Sequence, residues 1–165
     1  MEISLTDHQR LLAALQKHPN VEHATGSIEL IETHISSILL TGDCAYKIKK
    51  PVNFGFLDFS TLAKRKHYCE QELRLNGRMA PEIYLGVVTI NGSIDQPAIN
   101  GDGPVLEYAV KMRQFDQTGL LGNLLRQGQL THAMIDELAD VISKFHSTAA
   151  VIPTNSGLGS AANVY

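Results

Sequence analysis

Cys44-Ala45-Tyr46-Lys47-Ile48-Lys49-Lys50 is the stretch on which the reading of this chain turns. Thr41-Gly42-Asp43 turns the backbone into it, and the run reads as a β-strand. Side chains alternate along a strand, so Ala45 and Lys47 share one face. A small residue there leaves room for a flat ring, and the ammonium two positions on reaches an anion beyond it. Lysines also discourage edge-to-edge strand pairing, so Ala-x-Lys by itself does not separate a site from a charged strand. Lys49 lies on the same face, about 6–7 Å farther along the strand, and is expected to matter less than Lys47.

Working outward, a helix is predicted over Thr6 to Lys17, with Leu11, Leu12 and Leu15 as its apolar stripe and Pro19 as its stop. Ser27 to Glu32 and Ser37 to Thr41 read as two strands around Thr33-His34-Ile35-Ser36, completing a three-stranded meander with the lysine strand. An aromatic loop with Phe54, Phe56 and Phe59 follows Pro51. Ser60 is read as the cap of a long helix that reaches Met79 and ends before Pro81. Strands over Tyr84 to Ile90 and Val105 to Met112 flank a turn-rich hairpin with Asn91-Gly92 and Asn100-Gly101-Asp102-Gly103. Short and long helices come next, over Leu120 to Arg126 and His132 to His146, the second capped by Thr131. The closing Thr154 to Tyr165 is rich in small residues and reads as a tail.

In the long helix, Glu72 shares a face with Tyr68, Cys69, Leu75 and Met79, whereas Glu70 lies with Lys66, His67 and Arg74. Glu72 therefore points inward, where a carboxylate needs a partner because desolvating an unpaired charge is costly. Lys47 is the candidate. The last strand runs into Val110-Lys111-Met112-Arg113-Gln114-Phe115, an extended segment ahead of a short helix. The segment resembles the hinge of kinases, which implies a purine that donates to the Arg113 carbonyl and accepts from the Phe115 amide.

Composition sets outer bounds. The 165 residues carry a formal net charge of −3 and a pI near 6.1, which argues against a generic polyanion binder. Lys47, Lys49 and Lys50, and Lys64, Arg65 and Lys66, make two basic clusters that read as solvated strand and helix faces. With no aromatic strand platform between them, nucleic acid is a disfavoured partner. Cys44 and Cys69 lack metal-ligand spacing and are too few for a disulfide framework. The polar amino terminus and the lack of an apolar run of about 20 residues predict no membrane partner and a cytoplasmic location.

Several runs together resemble the amino-terminal region of a bacterial aminoglycoside phosphotransferase-like family. They are Glu32 to Ser36, Leu40 to Asp43, Ala45 to Pro51, Gly55 to Ser60, Glu72 to Asn76, Ala80-Pro81, Tyr84 to Val88, Val110 to Phe115 and Lys144-Phe145-His146. The resemblance covers about Ile28 to His146. It implies an α+β, protein-kinase-like N-lobe: a five-stranded antiparallel sheet with a packed helix of the αC type, followed by helices that begin a second lobe. Residues 1–115 would be the lobe with its N-terminal helix, 116–150 the start of an incomplete second lobe, and 151–165 a flexible tail.

The resemblance also implies ATP as ligand. Lys47 would lie on its phosphates, Glu72 would hold Lys47, and Ala45 would face the adenine; Met112, Arg113 and Phe115 would form the hinge. The Thr33 and Ser36 hydroxyls would cradle phosphate oxygens in place of a glycine-rich loop. The family's His-Gly-Asp-Leu-His-x-x-Asn type loop and its metal-binding aspartate do not occur in these residues, nor does the Walker A pattern of the P-loop domain often fused to it. The expectation is thus the ATP-binding part of a longer phosphotransferase acting on a hydroxyl substrate, with Mg²⁺ in the complete protein and no activity alone. Apolar surface cut from a second lobe would favour self-association. The other reading is a non-catalytic nucleotide-binding or protein-interaction module.

Overall fold

The computed structural model describes residues 2–17 and 24–153, so the expected stop at Pro19 and the tail over 154–165 lie outside the described residues. Two units are present, Met1–Phe115 and Asp116–Tyr165.

The first unit is mixed α and β. In chain order it contains α1 (Leu5–Lys17), β1 (Ala24–Glu32), β2 (Ser36–Gly42), β3 (Cys44–Lys49), α2 (Leu62–Asn76), β4 (Tyr84–Ser93), β5 (Gln96–Ile99) and β6 (Val105–Arg113). All strand pairs are antiparallel, in the order β1-β2-β3-β6-β4-β5.

The sheet thus has six strands where the sequence predicts five. The difference lies at Asn91-Gly92, read above as a turn. The β4–β5 ladder runs past it to Ser93 paired with Gln96, so the turn falls two residues later. Gly92 has φ 103°, and the Asn91 side-chain amide Nδ2 donates to the Gly103 carbonyl at 3.0 Å. Here the dipeptide bends a strand next to a register shift rather than reversing it. Pro97 is accommodated in β5 because that strand forms the sheet edge. A Cβ on Gly92 would lie 2.6 Å from the Gln96 carbonyl oxygen at a backbone angle that disfavours side chains. Gly92→Ala is therefore expected to cost about 1–3 kcal/mol in urea unfolding.

Cross-strand partners share a face of the sheet. One face carries the rows Ile31–Ile38–Lys47–Val110–Val87 and Glu29–Leu40–Ala45–Met112–Tyr84. Between them, on the opposite face, runs Leu30–Leu39–Tyr46–Lys111–Gly86. The main core forms on this opposite face, where Leu11, Leu12 and Leu15 of α1 pack with Leu39, Tyr46, Ile48, Val88 and Ala109. Helix α2 covers the lysine face, with its Cys69 thiol 3.8 Å from the Tyr108 carbonyl.

Helix α2 begins one residue later than read, because the Thr61 hydroxyl accepts from the Lys64 amide while Ser60 is held by Asp58. It ends at Asn76, not Met79. Arg65 also departs from expectation. Read as part of a solvated cluster, it is fully buried and ion-paired to an equally buried Glu107 at 2.7 Å.

The second unit contains a 3₁₀ turn (Gln117–Gly119), α3 (Leu121–Arg126) and α4 (His132–Thr148). Thr131 caps α4 by accepting from the Met134 amide. No described residue of these three elements is buried. Among the described residues no helix is long and apolar enough to cross a membrane.

Candidate functional site

Lys47 and Glu72 meet as the strand and helix periodicities require. The Lys47 ammonium donates to Glu72 Oε1 at 2.7 Å, joining the third strand of the meander to the inner side of α2. Sequence spacing understated Lys49. Its ammonium donates to the other oxygen, Glu72 Oε2, also at 2.7 Å, and lies 5.0 Å from the centre of the Phe59 ring. The Lys49 side chain is 5% exposed against 27% for Lys47. Its position in the strand carried a usable signal, since every second residue of β3 faces α2, but only the packing of Phe59 decides that Lys49 is enclosed.

Two ammoniums share one carboxylate, so the cluster carries one more positive than negative charge. Burial is the largest influence on Glu72 and raises its pKa, but the hydrogen bonds and charges of Lys47 and Lys49 together outweigh it and hold the carboxyl below its ordinary value. Glu72 thus stays ionised at neutral pH. Ile38, Leu40, Ala45, Val110 and Met112 share the face of the sheet that carries Lys47, which stands between Ile38 and Val110; Leu40, Ala45 and Val110 are buried, and Ile38 and Met112 are half-buried. The chemistry of this face, apolar side chains beside an ammonium, is that of a site for a flat apolar ring next to an anionic group.

The other predicted residues fall into place less completely. The Thr33 hydroxyl is committed within its own turn, donating to the Ser36 carbonyl and accepting from the Ser36 amide, both at 3.0 Å. The Ser36 side chain is fully buried opposite Lys49. In this conformation neither hydroxyl is presented to a phosphate, a correction to the cradle expected from the sequence. The cause is the tightness of the hairpin, which the Lys50 ammonium closes further by donating to the Thr33 carbonyl at 2.7 Å. At the hinge, the Arg113 amide donates to Ile83 and the Gln114 amide to Asp43, at 2.8 and 2.9 Å.

Other reactive groups have structural roles. Burial pushes the Cys69 thiol up to about 12, so it is no thiolate nucleophile at neutral pH. His8 Nε2 lies 3.1 Å from the Ser37 hydroxyl, which donates to Glu32. The serine sits between the histidine and the carboxylate and is fully buried, which is the wrong order and place for a hydrolytic triad. Among the described residues no group of three or more His, Cys, Asp or Glu side chains could hold a metal ion, so none of them is given a role toward Mg²⁺.

The buried ionisable groups set a pH dependence with opposing signs. Burial, reinforced by the charges of Lys50 and Arg65, lowers His8 to about 4 from 6.5. The unfolded chain therefore binds the extra proton between those values, and stability rises with pH across that window. Burial raises Glu107 to about 7 from 4.5 even though Arg65 pulls it down, so its contribution falls as pH rises through that range. The two nearly cancel between pH 4.5 and 6.5. His8→Asn removes one of them, and its denaturation midpoint is expected to decline from pH 4.5 to 7 while the parent chain stays nearly level. A flat profile for the variant would contradict this assignment.

Comparison with known proteins adds sequence relatives. Uncharacterized proteins of Mycobacterium tuberculosis (strains H37Rv and CDC 1551) and of Mycobacterium bovis are each 33% identical to this chain over 122 residues. The match covers 74% of this chain and 23% of each relative, so the chain spans less than a quarter of the length of the curated relatives it matches. No family model and no solved structure matches.

Proposed function

We propose that this chain is the ATP-binding part of a kinase-like small-molecule phosphotransferase, with its first unit as the amino-terminal lobe. The observation that carries the reading is the Lys47–Glu72 pair at 2.7 Å beside the apolar side chains around Ala45. Phosphoryl transfer is mainly positioning and charge neutralisation, and a lysine held by a helix carboxylate is the recurrent means of gripping the α and β phosphates. The strand order β1-β2-β3-β6-β4, with α2 inserted after the third strand, supports the same reading.

In this assignment the adenine lies on Ala45, Leu40 and Met112, with its edge at the Arg113 carbonyl and Phe115 amide. Lys47 supplies the phosphate charge, and Glu72 fixes its direction. ATP with Mg²⁺ in the complete protein would supply the transferable γ-phosphoryl group. The acceptor is a hydroxyl compound whose identity is not encoded in these residues.

The test is an ATP titration of the 165-residue chain followed by calorimetry. Weak binding is expected, with Kd on the order of 1 mM, or about −4 kcal/mol. Lys47→Ala should abolish it, and no γ-phosphate should be transferred by this chain alone. Sustained transfer would reveal a catalytic carboxylate unaccounted for here. Absence of ATP binding would favour a protein-interaction module instead, for which the stacked Phe54 and Phe56 speak, the latter 90% exposed.

A further inference from the structure

We propose that Lys49 is the fixed partner of Glu72, a positioning residue whose hold on the carboxylate leaves Lys47 as the exchangeable ammonium that engages an incoming polyphosphate. The identity of that anion rests on the nucleotide reading above; the division of labour between the lysines rests on geometry alone. Each lysine takes a different oxygen of Glu72 at the same 2.7 Å, so the pair differs only in surroundings. Lys49 is enclosed by Phe59 and α2, and withdrawing its ammonium would leave a desolvated charge without a partner. Lys47 is open enough for a ligand to compete for its protons.

In a simple pair of one lysine and one glutamate, drawing the lysine toward an anion strands the half-buried carboxylate. Here Glu72 keeps its bond from Lys49 and stays ionised, so releasing Lys47 costs less and α2 stays in place. Lys49 also supplies the extra positive charge that makes the cluster attract an anion at all. It does so from a position the ligand does not touch.

The experiment uses the 165-residue chain with ¹⁵N-labelled lysine, inorganic tripolyphosphate and ATP as probes, and the variants Lys49→Met, Lys49→Arg and Lys47→Met. Tripolyphosphate should shift the Lys47 ammonium resonance and leave that of Lys49 in place. Lys49→Met, which keeps the buried stem, should weaken tripolyphosphate about 10-fold, and Lys49→Arg should restore affinity to within about 3-fold. In double-mutant cycles without ligand, the coupling of Lys49 to Glu72 should exceed that of Lys47 to Glu72 by about 10-fold in the folding constant.

Movement of the Lys49 resonance in place of that of Lys47, or undiminished tripolyphosphate binding by Lys49→Met, would overturn the proposal. If the parent chain binds neither probe, the nucleotide reading fails, and the ligand-free cycles alone decide the roles of the lysines. Equal or reversed couplings would then overturn the assignment to Lys49. Binding of tripolyphosphate with no preference for ATP would uphold the lysine assignment and count against the adenine surface.

Discussion

Arg65→Ala is expected to lower the stability of the first unit by about 3–5 kcal/mol, a large part of the ~5–15 kcal/mol that typically holds a domain folded. The guanidinium is fully buried, with Nη2 2.7 Å from Glu107 Oε1, Nε 2.9 Å from Glu107 Oε2, and Nη1 donating to the Phe59 carbonyl at 2.9 Å. Alanine would leave the Glu107 carboxyl without its counter-charge and remove the bond that anchors the loop before α2. Burial already pushes Glu107 up to about 7 with Arg65 present, so losing Arg65 drives it further toward the neutral acid.

Urea unfolding followed by circular dichroism measures the loss, and the double variant Arg65→Met with Glu107→Leu tests its cause. Replacing both charges by apolar groups should recover most of the stability, because the penalty comes from the orphaned carboxyl rather than from the pair being strongly favourable. A single variant within about 1 kcal/mol of the parent would show that water reaches this pair.

Lys47→Ala is expected to reduce kcat by roughly 10²-fold or more in a longer chain that carries phosphotransferase activity, with a smaller effect on folding than on turnover. Under the proposed function, the loss would be that of one positioned electrostatic stabiliser of the transferring phosphoryl group. Glu72→Ala should follow at a smaller cost in turnover but a larger one in stability, since it removes the acceptor of two lysines at once. The enclosure of Lys49 changes the ranking that strand spacing implies. Lys49→Met should affect turnover through Lys47 and Glu72 and be partly rescued by Lys49→Arg, whereas Lys47→Ala should not respond to changes at position 49. Equal losses from Lys47→Ala and Lys49→Ala, with no rescue by arginine, would mean that the basic run acts as an undifferentiated patch.

The periodicities of the sequence were enough to place the lysine strand in a meander and Glu72 on the inner side of α2, because strand alternation and helical repeat are local properties of the backbone. The helical repeat of α2 also bears on Arg65. Arg65, Cys69 and Glu72 fall at i, i+4 and i+7, one stripe of α2, which would have drawn Arg65 inward with its neighbours. Residue type misled there, since arginine between two lysines suggests a solvated face until a buried carboxylate appears 42 residues away.

Asn91-Gly92 failed for a related reason. The dipeptide permits a turn but does not require one, and the choice between turn and bend was made by pairing of β4 with both β5 and β6. Thr33 and Ser36 were legible as turn residues, but only the closed hairpin determines that the Thr33 hydroxyl is held within the turn and that Ser36 is buried. By itself the sequence determined which residues share a face and which charges need partners, since both follow from backbone geometry and solvation. Tertiary structure alone decided which partner each charge found, that Glu72 serves two lysines, and which of the two stays more exposed, because those depend on contacts between segments distant in the chain.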